Sequence, residues 1–172
     1  MKLDARCKGI RLLLSDVDGV LTDGGVIFDN QGIETKNFHI RDGMGIRLWQ
    51  RAGYPFGLVT ARNSHIVKVR AAELSIQIVR QGFEEKYPIV AEIASQNNVE
   101  LSEVCFIGDD LTDLRVLNSV GLAVAVADAA TEVRNAAHYI TKLGGGRGAV
   151  RETIELILKS QQRWDDLIQR YQ

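Results

Sequence analysis

The stretch Ile10-Arg11-Leu12-Leu13-Leu14-Ser15-Asp16-Val17-Asp18-Gly19 is a short apolar run closed by two acidic residues and a glycine. A run of that length, bounded so abruptly, describes a strand buried on both faces, as parallel sheets require. The same signal recurs at 55–59, 76–79, 104–107 and 122–126, and more weakly at 138–140. Between these runs, 43–52, 64–74, 85–96 and 111–119 carry apolar residues at three- and four-residue spacings, the period of a helix with one buried stripe. Strands alternating with helices predict a doubly wound α/β fold with a parallel sheet.

Two stretches break the alternation. Residues 25–40 hold two extended runs, 26–28 and 35–40, joined by the turn-rich Asp29-Asn30-Gln31-Gly32, which predicts a β-hairpin inserted after the first strand. Near the other end, the loop Gly144-Gly145-Gly146-Arg147-Gly148 precedes a helix expected over 149–171. Its apolar residues Val150, Ile154, Ile157, Leu158, Leu167 and Ile168 follow helical spacing, so one face should dock on the body or on a partner.

A chain of 172 residues with 45% hydrophobic and 25% charged side chains is expected to form one domain over 1–172. Its 21 basic and 22 acidic side chains leave a formal charge of -1, so no global field attracts nucleic acid or an anionic membrane surface. No segment is apolar for long enough to cross a bilayer. Cys7 and Cys105 cannot build a disulfide scaffold and fit structural thiols in a reducing cytoplasm.

In an open parallel sheet, ligands bind beyond the carboxyl ends of the strands. Asp16 and Asp18 follow the first strand, Thr60 ends the second, and Asp109 and Asp110 end the fourth. In an extended segment Asp16 and Asp18 point to the same side, and Gly19 lets the chain turn past them. Two carboxylates this close repel unless a cation lies between them, and oxygen ligands without a His or Cys set favour Mg²⁺ over Zn²⁺. The tetrapeptide alone equally describes a polar turn after a strand. His39, His65 and His138 show no metal-binding spacing and read as hairpin, helix-start and strand-edge residues, while Trp49 reads as core.

Asp110 is a natural N-cap, with Asp113 three residues on to favour the helix dipole. Asp109 gains nothing structurally from that arrangement, and a metal would turn its repulsion into coordination. Lys86 starts a helix, where a cation is unfavourable. Its placement makes sense if it faces Asp16 and a bound phosphate.

These residues, taken in order, resemble the haloacid dehalogenase (HAD) superfamily of phosphatases: Asp16-Val17-Asp18-Gly19, Thr60, Lys86, then Gly108-Asp109-Asp110 with Asp113. Across nearly the whole chain the sequence resembles one branch, the 3-deoxy-D-manno-octulosonate 8-phosphate (KDO 8-phosphate) phosphatases. The resemblance rests on residues 18–24, the hairpin, Arg41-Asp42-Gly43-Met44-Gly45-Ile46-Arg47 and Gly145-Gly146-Arg147-Gly148-Ala149-Val150-Arg151-Glu152. It implies a Rossmann-like core without a cap domain, and a tetramer in which hairpins and C-terminal segments help close neighbouring sites. It also implies a cytoplasmic enzyme that hydrolyses a sugar-acid phosphate on the way to lipopolysaccharide.

By the same resemblance Asp16 is the nucleophile and Asp18 the general acid and base, with an aspartyl-phosphate between the two half-reactions. Magnesium is held by Asp16, Asp109 and the main-chain carbonyl of Asp18, Thr60 and Lys86 contact the phosphoryl group, and Asp110 and Asp113 support them. Arg41, Asp42, Gly43, Arg47, Arg62 and Arg70 match substrate-binding positions; Arg147, in the glycine-rich loop, is expected either to reach a neighbour's site or to lie in a hinge before the last helix. One departure stands out, Thr60-Ala61-Arg62 where the family commonly has Thr-Gly-Arg. Two rivals remain at this point: a phosphatase for a nine-carbon sugar-acid 9-phosphate, and a non-catalytic phosphoacceptor or oligomerisation domain.

Overall fold

The computed structural model describes residues 2–171. In chain order it runs α1 (Leu3–Gly9), β1 (Leu12–Ser15), β2 (Ile27–Phe28), β3 (Glu34–Thr35), α2 (Ile40–Arg51), β4 (Phe56–Thr60) and α3 (His65–Glu73). Then follow β5 (Ile78–Gln81), α4 (Lys86–Gln96), β6 (Val104–Gly108), α5 (Leu114–Leu117), β7 (Leu122–Ala125), α6 (Thr131–Ala136), β8 (Tyr139–Ile140), α7 (Ala149–Ser160) and α8 (Trp164–Ile168).

Six strands form one sheet in the order β5-β4-β1-β6-β7-β8, every neighbouring pair parallel. β1, β4, β6 and β7 are buried along their full length, as expected of a sheet covered by helices on both faces. From β1 the chain goes outward on one side through β4 and β5, then returns to place β6 on the other side. The strand order therefore reverses between β1 and β6, and that crevice is where ligands bind in such sheets. The register Leu14↔Phe106 and Ser15↔Ile107 brings the ends of these two strands level. Between Asp18 and Thr60 lie the hairpin, α2 and β4, and between Lys86 and Asp109 lie α4, a single 3₁₀ turn and β6.

Several expected boundaries move. β1, β4 and β5 continue one or two residues beyond their apolar runs, to Ser15, Thr60 and Gln81, because the parallel ladder (Thr60↔Gln81 among its pairs) is made by backbone groups regardless of side-chain polarity. The second arm of the hairpin stops at Thr35 rather than Ile40. Residues 40–42 instead form the first turn of α2, which His39 caps by accepting the Arg41 N–H on Nδ1 at 3.2 Å. The helix expected over 149–171 is broken. Gln162 adopts a left-handed φ of 56°, and Gln161 turns its amide to the carbonyls of Cys7 and Ile10 at 3.0 and 2.8 Å. α1 and α6 are additional helices, too short for a periodic signal to emerge.

The core is continuous across the sheet and both helical layers. α7 buries Val150, Ile154, Ile157 and Leu158, each worth about 1.5–3 kcal/mol by area before chain entropy is charged against it. Trp49 is fully buried in α2 and donates its indole N–H to the Pro55 carbonyl at 2.8 Å.

Candidate active site

The carboxyl edge of the sheet gathers side chains from four strand ends. Asp16 follows β1 with its backbone N–H bonded to the Ile107 carbonyl of β6 at 3.0 Å, and its Oδ1 accepts the Val17 N–H at 2.6 Å. Asp109 follows β6. Gly19, at φ +86°, lets the chain turn back over it. A Cβ at position 19 would lie 1.9 Å from Asp109 Oδ2, so only glycine admits the carboxylate there.

Lys86 enters from the start of α4. Fully buried, it donates to Asp16 Oδ2 and to Asp113 Oδ1, both at 2.6 Å. Asp113 turns its other oxygen to the backbone N–H of Asp109 at 3.0 Å and of Asp110 at 3.4 Å. Asp110 caps the same 3₁₀ turn by accepting from Leu111 N at 2.8 Å. The N-cap reading of Asp110 and Asp113 therefore holds, and Asp113 additionally ties Lys86 to the loop that carries Asp109.

Oxygens of Asp16, Asp109 and Asp113 lie within 4.8 Å of one another. Burial, then repulsion from Asp113, pushes Asp16 up to about 6, against the pull of Lys86. Burial, then repulsion from Asp16 and Asp113, pushes Asp109 up to about 8. For Lys86 burial opposes the charge, but Asp16 and Asp113 outweigh it and hold the ammonium above its ordinary value. One lysine thus faces three carboxylates.

Asp109 Oδ1 is buried without a hydrogen-bond partner. A hard divalent cation beside Asp16 and Asp109 would satisfy that oxygen and remove the repulsion, and an all-oxygen donor set suits magnesium. The residues present fit the ion. Asp113 is less available as a ligand, because Lys86 and two backbone donors already occupy its oxygens.

Asp18 is two residues beyond Asp16, yet its carboxylate joins a different group. Lys36 from the base of the hairpin donates to Asp18 Oδ1, and Arg62 Nη1 lies 3.9 Å from Asp18 Oδ2. Glu34 pairs with Arg62 Nη2 at 2.7 Å and Lys36 Nζ at 3.3 Å, and accepts the Ser64 hydroxyl at 2.8 Å. Thr60 is buried at the end of β4, and its carbonyl accepts the Gly82 N–H at 3.0 Å.

The other expected substrate residues divide. Arg62 stands beside Asp18. Arg47 and Arg70 turn to Glu73 on α3, Arg47 to its carbonyl at 3.3 Å and Arg70 to its carboxylate at 2.7 Å. They line a cleft of about 250 Å³ with Ile40, Gly43 and Met44, and no described contact joins them to Asp16 or Asp109. Gly43 leaves room for the Arg70 guanidinium, which a Cβ would meet at 2.5 Å. Asp42 is buried, its Oδ1 accepting the Arg151 N–H at 2.8 Å at the start of α7, so it serves as a helix cap. Arg41 is exposed near Gly148 and Arg151, and Arg147 pairs loosely with Asp23 at 3.6 Å.

Sequence reasoning missed Glu34 and Lys36. The available signal was their spacing, since residues two apart in a strand share a face, and two opposite charges on one face of a hairpin suggest a common partner.

A family model described as haloacid dehalogenase-like hydrolase matches residues 61–148. The 3-deoxy-D-manno-octulosonate 8-phosphate phosphatase of Yersinia pestis is 42% identical over 158 residues, covering 92% of this chain and 84% of that protein. The protein of the same description from Escherichia coli (strain K12) is 40% identical over 162 residues, covering 94% and 86%. The crystal structure of the corresponding phosphatase from Moraxella catarrhalis, in complex with magnesium ion, phosphate ion and a KDO molecule, matches with a TM-score of 0.96 at 38% identity, covering 98% of this chain and 97% of that chain.

Proposed function

Because the chain belongs to the haloacid dehalogenase-like hydrolases, we propose that it is a magnesium-dependent phosphatase acting on 3-deoxy-D-manno-octulosonate 8-phosphate through an aspartyl-phosphate. The observation that carries the reading is the meeting of Asp16, Asp109 and Lys86 at the strand-order reversal, with a buried Asp109 oxygen left unpartnered. A scaffold has no use for that repulsion, and a cation-assisted reaction has. The named relatives, about 40% identical over most of the chain, supply the substrate.

Asp16, Asp109 and the main-chain carbonyl of Asp18 would hold the metal. When bound, magnesium neutralises charge on the transferring phosphoryl group. An Asp16 oxygen attacks phosphorus in line; the bond to the ester oxygen breaks with its electron pair on the sugar, and that oxygen takes a proton from Asp18. Asp18, now ionised, accepts a proton from the attacking water as the phosphorus–Asp16 bond breaks and phosphate leaves. Lys86 orients Asp16 and adds positive charge, and the Thr60 hydroxyl donates to a phosphoryl oxygen. Arg62, beside Asp18, suits the sugar acid's anionic groups.

The site is served by one domain spanning the chain, and the working form is a cytoplasmic homotetramer. Support for assembly comes from the hairpin, whose Val26, Ile27, Phe28 and Ile33 are all more than half exposed, a cluster that isolated monomers rarely display. Arg41, Arg47, Arg70 and Arg147 would then serve substrate across or beside such an interface.

The test is phosphate release from a panel of phosphorylated metabolites with and without magnesium. We expect magnesium-dependent turnover with the eight-carbon sugar acid preferred. Faster turnover of a nine-carbon 9-phosphate would overturn the substrate, and stable retention of phosphate on the protein without turnover would overturn the enzyme.

A further inference from the structure

The least expected buried charge lies outside the carboxylate cluster. Lys36 sits on an otherwise exposed hairpin, yet its side chain is only 1% exposed, whereas Asp18 above it is 20% exposed. The ammonium therefore lies beneath the Asp18 carboxylate rather than in the open site, and a substrate reaching Asp18 would not touch it. It donates to Asp18 Oδ1 and lies in an ion pair 3.3 Å from Glu34 Oε1. Burying a lysine is costly unless it is paired, and both partners are supplied locally.

The two Asp18 oxygens are consequently unlike. Oδ1 is held from below by Lys36. Oδ2 faces Arg62 Nη1 at 3.9 Å, beyond hydrogen-bond reach, and that guanidinium nitrogen is itself buried without a hydrogen-bond partner. Glu34 holds Arg62 through Nη2 and is braced by Ser64 at the start of α3. The cluster thus fixes the carboxylate by one oxygen and leaves the other uncommitted, as a group exchanging a proton with a leaving alkoxide requires.

We propose that Lys36 is a positioning residue of the phosphatase, anchoring Oδ1 of Asp18 so that Oδ2 is presented to the ester oxygen of the leaving group. This inference rests on the phosphatase reading and deepens it by making the base of the hairpin part of the catalytic machinery. Lys36 touches neither phosphate nor metal; its effect passes through the orientation of Asp18.

A buried ion pair that only supports the fold and one that aims a general acid differ in a measurable way. Leaving-group protonation matters for an alkyl ester, whose alkoxide is a poor leaving group, and hardly at all for p-nitrophenyl phosphate, whose phenolate departs unprotonated. The experiment compares kcat/KM, which reports events through departure of the leaving group, for 3-deoxy-D-manno-octulosonate 8-phosphate and p-nitrophenyl phosphate at saturating magnesium. The variants are Lys36→Met, which keeps the buried length, and Lys36→Gln, which keeps a polar tip, so that one folded variant suffices; melting curves establish folding.

The expected result is a fall of about 100-fold for the sugar ester, the low end of what a positioned acid supplies, and of about 3-fold or less for the aryl ester. Equal losses on the two esters, or no loss on either, overturn the inference. If the wild type hydrolyses neither ester, the phosphatase reading falls and this inference falls with it. An active wild type with equal losses removes the inference alone.

Discussion

Replacing Asp109 by asparagine should change the sign of its effect on stability when magnesium is added. In the metal-free protein the Asp109 carboxyl is pushed from 3.8 up to about 8, by burial first and by Asp16 and Asp113 next. The unfolded chain releases that proton near its ordinary value, while the folded chain retains it. The penalty on folding is therefore absent below about pH 4, grows as pH rises, and levels off above about pH 8. Near pH 7 the gap is roughly three pH units at about 1.4 kcal/mol each, on the order of 4 kcal/mol. Partial exposure and sharing with Asp16 reduce this to about 2–4 kcal/mol. Asparagine has the same shape and no charge, so Asp109→Asn should raise the melting temperature of the chelator-treated protein by about 5–15 °C at pH 7–8, at about 2–4 °C per kcal/mol.

Magnesium should reverse the ranking. At a thousandfold excess over its dissociation constant a bound ion stabilises the wild type by about 4.1 kcal/mol, while the asparagine variant, lacking a charged ligand, should gain little. The assay is a pair of melting curves for each protein, with chelator and with magnesium, repeated from about pH 5 to about pH 8. The advantage of the metal-free variant should shrink as pH falls toward about 5, because the unfolded chain then gains less by releasing the proton that the folded wild type retains. A metal-free Asp109→Asn protein less stable than the wild type at pH 8, or one stabilised by magnesium as strongly as the wild type, would refute the electrostatic account of the site.

Asp16→Asn should abolish turnover, by about 10⁴-fold or more in kcat as for other catalytic units that lose a nucleophile, and full activity in steady-state assays would remove Asp16 from that role. Lys86→Met leaves Asp16 and Asp113 buried without their cation, and a loss of about 3–5 kcal/mol in chemical denaturation is expected, together with loss of activity. Asp42→Ala removes the acceptor for Arg151 N at the start of α7 and should cost about 1–2 kcal/mol with little change in KM; a large rise in KM at unchanged stability would return Asp42 to the substrate. Gly145→Ala would put a Cβ 1.8 Å from the Gly19 carbonyl, so the loop after Asp18 must move, and kcat should fall by about tenfold or more with the helical circular dichroism preserved.

The strands were legible because each is a short apolar run ended by a polar residue, and the edge of the site was legible because the parallel-sheet rule gives those polar residues one destination. What escaped was set by contacts distant in sequence. The break after α7 depends on Gln161 reaching the carbonyls of Cys7 and Ile10, more than 150 positions away, and nothing local marks it. The start of α2 depends on His39 acting as a cap, a residue type that sequence rules do not put first there. Arg47 on α2 turns to the Glu73 carbonyl of α3, a neighbour 26 positions away that only the packing of the two helices supplies, whereas the Arg70–Glu73 pair lies one turn apart on α3 itself.

The same limit explains why the sequence pairs Asp18 with Asp16. Period-two geometry puts both on one side of an extended segment, but the chain leaves extended geometry at once: Val20, Leu21 and Thr22 all bond back to the Val17 carbonyl, and Gly19 turns left-handed. The turn separates the two carboxylates into different electrostatic settings. Asp16 faces Lys86 among like charges, where a cation is needed, while Asp18 faces Lys36 and Arg62 among opposite ones, where none is. A nucleophile that must approach a phosphate and an acid that must hand over a proton have opposing requirements. Four residues of backbone turn, with a lysine committed to each side, give these neighbours in sequence unlike surroundings.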